Sequence, residues 1–332
     1  LTTTEYVNHP LFKVWGLGVR FECEEETTWL SELEVVDFIN EVDWANTAVI
    51  CHNTLFDAYI LTQYYSVYPA YYYDTAAMAR GDQPTMSASL ANVSERIFPE
   101  DPSMRKGKEL ASAKGIETLD PELDEVIGDY CIQDVDLTYA IFNKLAANYP
   151  KQELDIIDLT TRMFVEPTLV VNKENLTNYL ETITKEAEST IAACGIDRKV
   201  LSSNPQFAGY LESIGISPPT KVSPSTGKNI PAFGKNDQGY KQLIRMYPEH
   251  QQLWDARLAV KSRIAQTRAQ RFLDATNLQG TISVPLRYYA AHTGRFGGTD
   301  KLNMQNMPRG SEIRKSLEAP EGMHVYVADL SN

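Results

Sequence analysis

The chain has 332 residues and a mass of 37.4 kDa, which is too long for one ordinary hydrophobic core, so we expect two or three domains. Hydrophobic residues make up 43% and charged residues 23%, a balance that excludes a disordered, collagen-like or coiled-coil protein. No run approaches the roughly 18 apolar residues of a membrane span, no secretory leader is visible, and the four cysteines are widely spaced. These features predict a cytoplasmic protein with reduced thiols and no membrane partner.

The net charge of −13 is distributed unequally along the chain. Residues 1–150 carry 9 Lys and Arg against 25 Asp and Glu, whereas residues 151–332 carry 22 against 19. An acidic region binds phosphate groups poorly unless its carboxylates hold metal ions. The asymmetry therefore predicts two parts with different functions.

Strand-like and helix-like stretches alternate over the acidic half. The predicted strands cover residues 14–21, 47–51 and 71–73. The predicted helices cover 32–42 and a segment opening at 74 or 75, and residues 122–147 predict one or two helices. Residues 99–121 are rich in Pro, Gly, Lys and Asp and predict a loop. This alternation predicts an α/β domain with a mixed sheet.

The basic half is predicted to be mainly helical, with one long loop. The predicted helices cover residues 151–164, 173–195 with Asn172 as the N-cap, and 249–275. Residues 215–239, rich in Pro and Gly, predict an extended loop too long for an ordinary connection. The tail from residue 281 predicts a strand, a turn, coil and a helix, and then a strand over 324–328.

Two acidic motifs in the first half are candidates for metal-dependent chemistry. Asn53, Phe56 and Asp57 (in HNTLFD) directly follow the second predicted strand, and the carboxyl ends of strands are frequent ligand sites in α/β sheets. Tyr130 and Asp134 (in YCIQD) share one face of a predicted helix through their i, i+4 spacing. Two carboxylates that hold divalent ions, with a tyrosine that orients water, are suited to phosphodiester hydrolysis.

Each motif also has a structural interpretation. Asp57 is compatible with a helix cap that serves the first turn, and a Tyr-x-x-x-Asp pair occurs in many helices by chance. The order, spacing and placement of the two motifs give the catalytic interpretation the same weight as the structural one, and both stay open at this point.

The second half contains a basic helix and a series of polar motifs. A basic helix face is either exposed to solvent or follows a nucleic-acid backbone. Binding to nucleic acid is favoured by three features that come later in the chain: a guanidinium in a glycine-flanked turn, two amide side chains and a carboxylate at the end of a strand. The candidate residues are Arg257, Lys261, Arg268 and Arg271 on the helix, Thr293 and Arg295 in the turn, Gln305, Asn306 and Arg309 in the coil, and Asp329 after the last strand.

Taken together, these motifs resemble the family A DNA polymerases, most closely the phage-type branch with an attached 3′–5′ proofreading exonuclease. HNTLFD and YCIQD resemble the second and third exonuclease motifs, and TGRFGG, LNMQNMPR and VADLSN resemble the stretch leading into polymerase motif A. The resemblance implies a ribonuclease H-like exonuclease domain over residues 1–150, a helical linker and thumb over 151–280, and the start of a palm over 281–332.

The resemblance also implies roles for single residues. In the exonuclease site, Asp57 and Asp134 would bind metal, Tyr130 would orient the attacking water, and Asn53 and Phe56 would support the site and the frayed 3′ end. In the polymerase part, Arg295 would contact the primer, Gln305 and Asn306 the duplex, Arg309 the triphosphate, and Asp329 the catalytic metals. The implied cofactor is Mg²⁺ in two-metal sites, with Mn²⁺ as a substitute. The implied partners are primer–template DNA, single-stranded 3′ ends and deoxynucleoside triphosphates.

The sequence departs from the family pattern at both ends. A first exonuclease motif, Asp-x-Glu on an opening strand, is missing, and Glu22-Cys23-Glu24 only imitates its spacing because it follows the strand that should come second. The sequence stops three residues after Asp329, before the other polymerase motifs. We therefore expect a fragment truncated at both ends, or one product of a split gene with a second polypeptide. Alone, such a chain would be close to inactive in both reactions.

Two other interpretations remain open. A stand-alone 3′–5′ exonuclease would explain the acidic half and leave the C-terminal motifs without a role. A non-catalytic DNA-binding module would make both acidic motifs structural.

Overall fold

The computed structural model describes residues 1–107, 116 and 118–328, and these form two compact units. Unit 1 contains residues 1–170, 275–309 and the segment from 319 onward, and unit 2 contains residues 171–274 and 310–318. These bounds differ from the three functional domains expected from the sequence, since residues 151–170 and 275–309 pack within unit 1. The functional division stays a prediction.

Strands and helices are numbered in chain order. The helices of unit 1 are α1 (Thr3–Val7), α2 (Glu32–Glu41), α3 (Thr54–Tyr59), α4 (Thr75–Asp82), α5 (Leu90–Ile97), α6 (Pro121–Ala146) and α7 (Lys151–Val165). Its strands are β1 (Gly16–Val19), β2 (Thr28–Ser31), β3 (Ala48–Cys51), β4 (Tyr71–Asp74), β5 (Leu169–Val171, whose last residue begins unit 2), β8 (Thr281–Ile282), β9 (Leu286–Arg287) and β10 (Gly297–Gly298). The mixed α/β architecture predicted from the alternation is confirmed.

Two strand pairs organise the N-terminal part of unit 1. β1 and β2 are antiparallel, with Gly16 opposite Ser31, and β3 and β4 are parallel, with Cys51 opposite Asp74. The predicted strands at 14–21, 47–51 and 71–73 and the helices at 32–42 and 122–147 thus form with slightly different bounds. The short elements α1, β2 and α5 were not expected. The elements α1 and β2 have only five and four residues, which is too short for a clear periodicity.

Helix α7 belongs to unit 1 because it packs along β4. The backbone N–H of Tyr72 donates to the Asp158 carboxylate (2.9 Å), and Arg162 pairs with Asp158 (2.9 Å) and Glu166 (2.8 Å). Tyr72 and Phe164 are fully buried in the adjoining core. Charge-assisted hydrogen bonds and apolar burial together fix this helix on the strand.

Unit 2 is mainly helical. Its elements are α8 (Lys173–Cys194), α9 (Arg198–Ser202), α10 (Asn204–Ser213), β6 (Thr220–Val222), β7 (Asn229–Pro231), α11 (Gln238–Met246), α12 (Gln251–Lys261), α13 (Ile264–Asp274), α14 (Glu312–Lys315) and β11 (Leu317–Glu318). Asn172 caps α8 as predicted, since its side chain accepts a hydrogen bond from the N–H of Asn175 (3.0 Å). Aromatic rings of Phe207, Phe233 and Trp254 form the centre of its core.

Three predictions for the basic half are wrong in detail. Residues 215–239 are not one extended loop, because β6 and β7 form an antiparallel hairpin within them. The helix predicted over 249–275 is two helices, since Ser262 leaves the helical conformation (φ −102°, ψ 78°) and serine is a weak helix former. Residues 324–328 do not form a strand. They pair with no other strand among the described residues, and Val325, Tyr326 and Val327 are exposed.

The role predicted for Arg257 also has to be corrected. Arg257 is only 2% exposed. Its guanidinium donates hydrogen bonds to the Leu201 carbonyl and the Asn204 side chain, and it lies 4.5 Å from the ring centre of Phe207. The predicted contact of this side chain with a DNA backbone is therefore incompatible with this structure. The helical spacing was correct, but it placed Arg257 on the face that packs into the unit 2 core.

Replacing Arg257 should destabilise unit 2. We expect Arg257→Ala to lower the free energy of unfolding by about 2–4 kcal/mol, because it leaves a buried carbonyl without its donor and removes packing against Phe207. Lys261→Ala, at an exposed position of the same helix, is the control and should change it by less than about 0.5 kcal/mol. Urea denaturation measures both. Equal effects would contradict the structural role of Arg257.

A glycine in β1 is required by close packing. A Cβ atom added to Gly16 would lie 2.2 Å from the Trp29 ring and 2.6 Å from the Leu30 carbonyl oxygen, and a backbone atom cannot move aside easily. We expect Gly16→Ala to destabilise the protein by about 1–3 kcal/mol. Gly209→Ala, in α10 with no atom near the added Cβ, should instead stabilise it by about 0.5–1 kcal/mol. Thermal unfolding of both variants tests the pair.

Candidate active site

The two acidic motifs meet at the carboxyl ends of the parallel strands β3 and β4. Asp57 lies in the first turn of α3, which begins three residues after β3 ends, and Asp134 lies in the middle of α6. The two carboxylates are close enough for the charge of Asp134 to raise the pKa of Asp57. The structure therefore brings together the two residues predicted to bind metal.

The turn that carries Asp57 is held by a third carboxylate, Asp74. Its Oδ1 accepts hydrogen bonds from the backbone N–H groups of Asn53 and Ala76 (both 2.9 Å), and its Oδ2 lies 3.8 Å from the Arg80 guanidinium. Asn53 has a left-handed conformation (φ 72°), which asparagine tolerates better than most residues. Asp74 is buried and fully engaged, so it positions the turn and is not a free ligand.

This role of Asp74 was not predicted from the sequence. The available signal was its place directly after the predicted strand 71–73 and before a helix, which is the usual position of an aspartate N-cap. The bond to Asn53 joins residues 21 positions apart. No periodicity of the sequence indicates such a contact.

The Asp57 carboxyl has an unusual pKa. Protein atoms displace the hydration of the carboxyl, and the nearby Asp74 and Asp134 charges add to this effect, so that its pKa is raised to about 7. The side chain still reaches solvent. It is thus an accessible carboxylate at a site that favours a neutralising cation.

The Asp134 carboxylate has one engaged oxygen and one unpartnered oxygen. Its Oδ2 forms an ion pair with the Lys106 ammonium, while its buried Oδ1 has no hydrogen-bond partner among the described residues. Lys106 also lies 4.5 Å from the ring centre of Tyr130, one turn earlier on α6. Tyr130 is buried, and the loss of hydration raises the pKa of its phenol, which therefore stays protonated.

The segment that carries Lys106 is fixed to α6. The Gln133 amide donates to the Arg105 carbonyl (2.8 Å), and its oxygen accepts from the N–H of Gly107 (3.0 Å). Burial alone would lower the pKa of Lys106, but its bond to Asp134 and the neighbouring Tyr130 raise it above its usual value. Lys106 was not predicted, because it lies in the loop expected over 99–121, whose residues 108–115 and 117 lie outside the described part.

The donor set suits a hard divalent ion. Asp57 and Asp134 offer carboxylate oxygens, and the buried, unpartnered Oδ1 of Asp134 is the kind of atom that an ion would satisfy. Mg²⁺ commonly binds through one or two carboxylates plus water and substrate phosphate. The described residues contain no cluster of three or more His, Cys, Asp or Glu side chains with metal-site geometry. The chain's own ligands would therefore be these two carboxylates.

The remaining candidate residues fall into four groups. Glu22, Cys23 and Glu24 lie in the exposed turn between β1 and β2, which agrees with their exclusion from the site. Phe56 is half-buried and packs against Tyr6 (ring centres 5.9 Å apart). Most of the predicted DNA contacts are exposed side chains. In unit 1 these are Asn53, Thr293, Arg295, Gln305, Asn306 and Arg309. In unit 2, Lys261 and Arg268 are exposed and Arg271 is half-buried. Asp329 lies outside the described residues.

The turn predicted around Arg295 is present. The N–H of Gly294 donates to the Ala291 carbonyl (2.9 Å), and the N–H of Ala291 donates to the Arg295 carbonyl (3.2 Å). Gly294 has φ +76°, where a side chain would be strained and would crowd Tyr289. This turn connects β9 to β10 in unit 1. No helix in the described part of the chain is long and apolar enough to cross a membrane.

Comparisons with known proteins agree with this geometry. Residues 20–149 match the model of a 3′–5′ exonuclease family. A comparison with curated proteins gave no match. Among solved structures, the chain is similar to the POL domain of Pol1 from M. smegmatis in complex with DNA primer–template and dNTP, with 16% identity and a TM-score of 0.55.

That similarity covers 90% of this chain and 51% of the mycobacterial one, so the chain spans about half the length of its structural relative. At 16% identity the similarity shows a shared fold. The family match includes both acidic motifs and the strands β2, β3 and β4, and it begins at the residue after β1. Residues 20–149 therefore resemble a 3′–5′ exonuclease domain, and this match together with the shared fold supports the resemblance of the chain to the family A DNA polymerases.

Proposed function

We propose that the chain is part of a DNA-directed DNA polymerase with a 3′–5′ proofreading exonuclease that acts in DNA replication. The observation that carries the exonuclease activity is the meeting of Asp57 and Asp134, from motifs 77 positions apart, within a domain of the exonuclease family. The replicative role, the phage-type branch and a cytoplasmic location rest on the sequence resemblance.

In the exonuclease site, the chain's residues would bind the metal ions, orient the attacking water and support the 3′ end of the DNA. Asp57 and Asp134 would hold Mg²⁺ or Mn²⁺, and the bound ions would activate the attacking water and stabilise the leaving oxygen. Tyr130 keeps its phenolic proton and donates or accepts a hydrogen bond as a positioning group. Asn53 and Phe56 flank Asp57, where a single-stranded 3′ end would enter.

In the polymerase part, the exposed side chains of unit 1 would contact DNA. Arg295, presented by a hydrogen-bonded turn, would meet the primer backbone, and Thr293 would contact DNA beside it. Gln305 and Asn306 would bond to the duplex near the active site. Arg309 would contact the triphosphate and Asp329 the catalytic ions. In unit 2, Lys261, Arg268 and Arg271 would contact the backbone, without Arg257.

Two protein carboxylates bind metal more weakly than the larger sets typical of two-metal sites. Because the ions supply most of the charge stabilisation, we expect nuclease turnover by this chain to lie orders of magnitude below that of a site with all its ligands. Binding of metal and of a DNA 3′ end is therefore a sharper test than the rate of cleavage.

The test is the metal dependence of DNA binding. We expect a fluorescent oligonucleotide with a single-stranded 3′ end to bind more tightly in Mn²⁺ than in EDTA, and Asp57→Asn and Asp134→Asn to reduce this difference about tenfold or more. Asp129→Asn, an exposed position on the same helix as Asp134, is the charge-matched control and should leave the difference intact. Fluorescence anisotropy measures each affinity.

Binding that is indifferent to metal and to both variants would instead support the non-catalytic DNA-binding module. Metal-dependent binding of 3′ ends that does not require the basic residues of either unit would favour a stand-alone exonuclease. The present proposal requires both the metal dependence and a salt-sensitive contribution that weakens in Arg268→Ala.

The raised pKa of Asp57 predicts a pH-dependent stability. The folded protein binds one more proton than the unfolded chain between the ordinary aspartate pKa of 3.8 and about 7, so this group's contribution to stability falls as pH rises through that window. Asn cannot titrate, and Asp57→Asn should therefore be more stabilising relative to the wild type at pH 8 than at pH 5. Urea denaturation in a chelating buffer measures both differences, with Asp129→Asn as control. A difference that does not vary with pH would contradict the raised pKa.

A further inference from the structure

Lys106 is the cation that the structure places against the proposed metal ligand. Its ammonium pairs with Oδ2 of Asp134, and both side chains are about a quarter exposed. The same ammonium lies over the Tyr130 ring, 4.5 Å from its centre, where the π electrons favour a positive charge. The contact is therefore part of the site and not a solvated surface pair.

The backbone around Lys106 is held independently of this ion pair. Gln133 binds both neighbours of Lys106 in the chain, and the Arg105 guanidinium donates to the carbonyls of Phe98 (2.9 Å) and Pro99 (2.7 Å). Loss of the ion pair would thus leave the segment in place. The flexible four-carbon side chain of lysine allows the ammonium to withdraw without a backbone movement.

An ammonium and a divalent ion cannot occupy the two oxygens of one carboxylate at low cost. A metal at Asp134 would bring two positive charges within a few ångströms of the lysine charge, in a partly buried site where water screens repulsion weakly. The buried Oδ1 of Asp134 lacks a partner, but Oδ2 is occupied. The two cations therefore compete for the same group.

We propose that Lys106 is an internal counter-ion that occupies Asp134 in the metal-free protein and that the divalent ion displaces it. This inference rests on the proposed function, since it takes Asp57 and Asp134 as the metal ligands. The ammonium compensates the charge of Asp134, which would otherwise add to the repulsion between Asp134 and Asp57 in the absence of metal. The cost is a lower metal affinity, because each binding event must release Lys106.

The direct test is a Mn²⁺ titration followed by electron paramagnetic resonance, which reports free ion without reference to activity. We expect Lys106→Met to bind Mn²⁺ about three- to tenfold more tightly than the wild type, the size of effect expected for loss of one partly exposed ion pair. Lys144→Met removes an exposed lysine from the same helix as Asp134 and should change the affinity less than twofold. Unchanged or weaker binding in Lys106→Met would overturn the inference.

An Asp134→Asn background separates this inference from the proposed function. The effect of Lys106→Met should disappear there, because the competition requires the Asp134 charge. If Asp134→Asn abolishes Mn²⁺ binding while Lys106→Met has no effect in the wild-type background, the inference fails and the metal site stands. If neither Asp134→Asn nor Asp57→Asn weakens Mn²⁺ binding, both the inference and the proposed function fail.

The rate at which Lys106 is acetylated provides a second measurement, which needs no substitution in the protein. Brief acetylation followed by mass spectrometry should label Lys106 more strongly in Mg²⁺ than in EDTA, because displacement from Asp134 exposes the amine. The same comparison in Asp134→Asn should show high labelling in both conditions. Equal labelling of the wild-type Lys106 with and without Mg²⁺ would contradict displacement.

Discussion

The geometry of the candidate site depends on one carboxylate, Asp74, which bonds the ends of two parallel strands together. Its Oδ1 accepts N–H groups from Asn53, after β3, and from Ala76, in the first turn of α4. Both donors are backbone groups that helix starts leave without an intrahelical partner. A single side chain therefore caps one helix and fixes the left-handed residue that begins another. The orientation of Asp57 follows from this arrangement, because Asp57 lies four residues after Asn53.

Charge balance is the second constraint on the site. Three carboxylates lie near one another there, within a strongly acidic half of the chain, and the protein atoms around the Asp57 carboxyl reduce its hydration, which disfavours its negative charge. Arg80 offsets Asp74, and Lys106 offsets Asp134. Among the described residues, no ion pair involves Asp57, which leaves it as the carboxylate most in need of an external cation. The site is thus electrostatically incomplete without an ion, and this supports the metal-dependent function more strongly than the motif spacing alone does.

Local patterns predicted most elements but not the contacts that assemble the site. The apolar runs of β3 and β4 and the long periodicity of α6 are properties of neighbouring residues, and they were found with small errors in bounds. The bond from Asn53 to Asp74 and the pair between Lys106 and Asp134 join residues more than 20 positions apart. For Arg257, a local pattern was identified correctly but led to a wrong prediction of function. Its spacing matched a helix, but only the fold determines which helix face is buried, and this arginine lies on the buried face.

Arg80 links the exonuclease residues to the segment that carries the predicted primer contacts. Its Nε donates to the Tyr288 carbonyl (2.9 Å), next to β9, while its guanidinium lies near Asp74. Tyr288 is buried and its hydroxyl donates to Glu153 at the start of α7, so the segment is anchored at two points within unit 1. The chain leaves unit 1 at residue 171 and returns at 275, and the returning part brings Thr293 and Arg295 into the same compact unit as Asp57. The residues proposed to excise a 3′ end and those proposed to hold the primer are therefore linked within unit 1 through Arg80, which forms an ion pair with Asp74 and donates a hydrogen bond to the Tyr288 carbonyl.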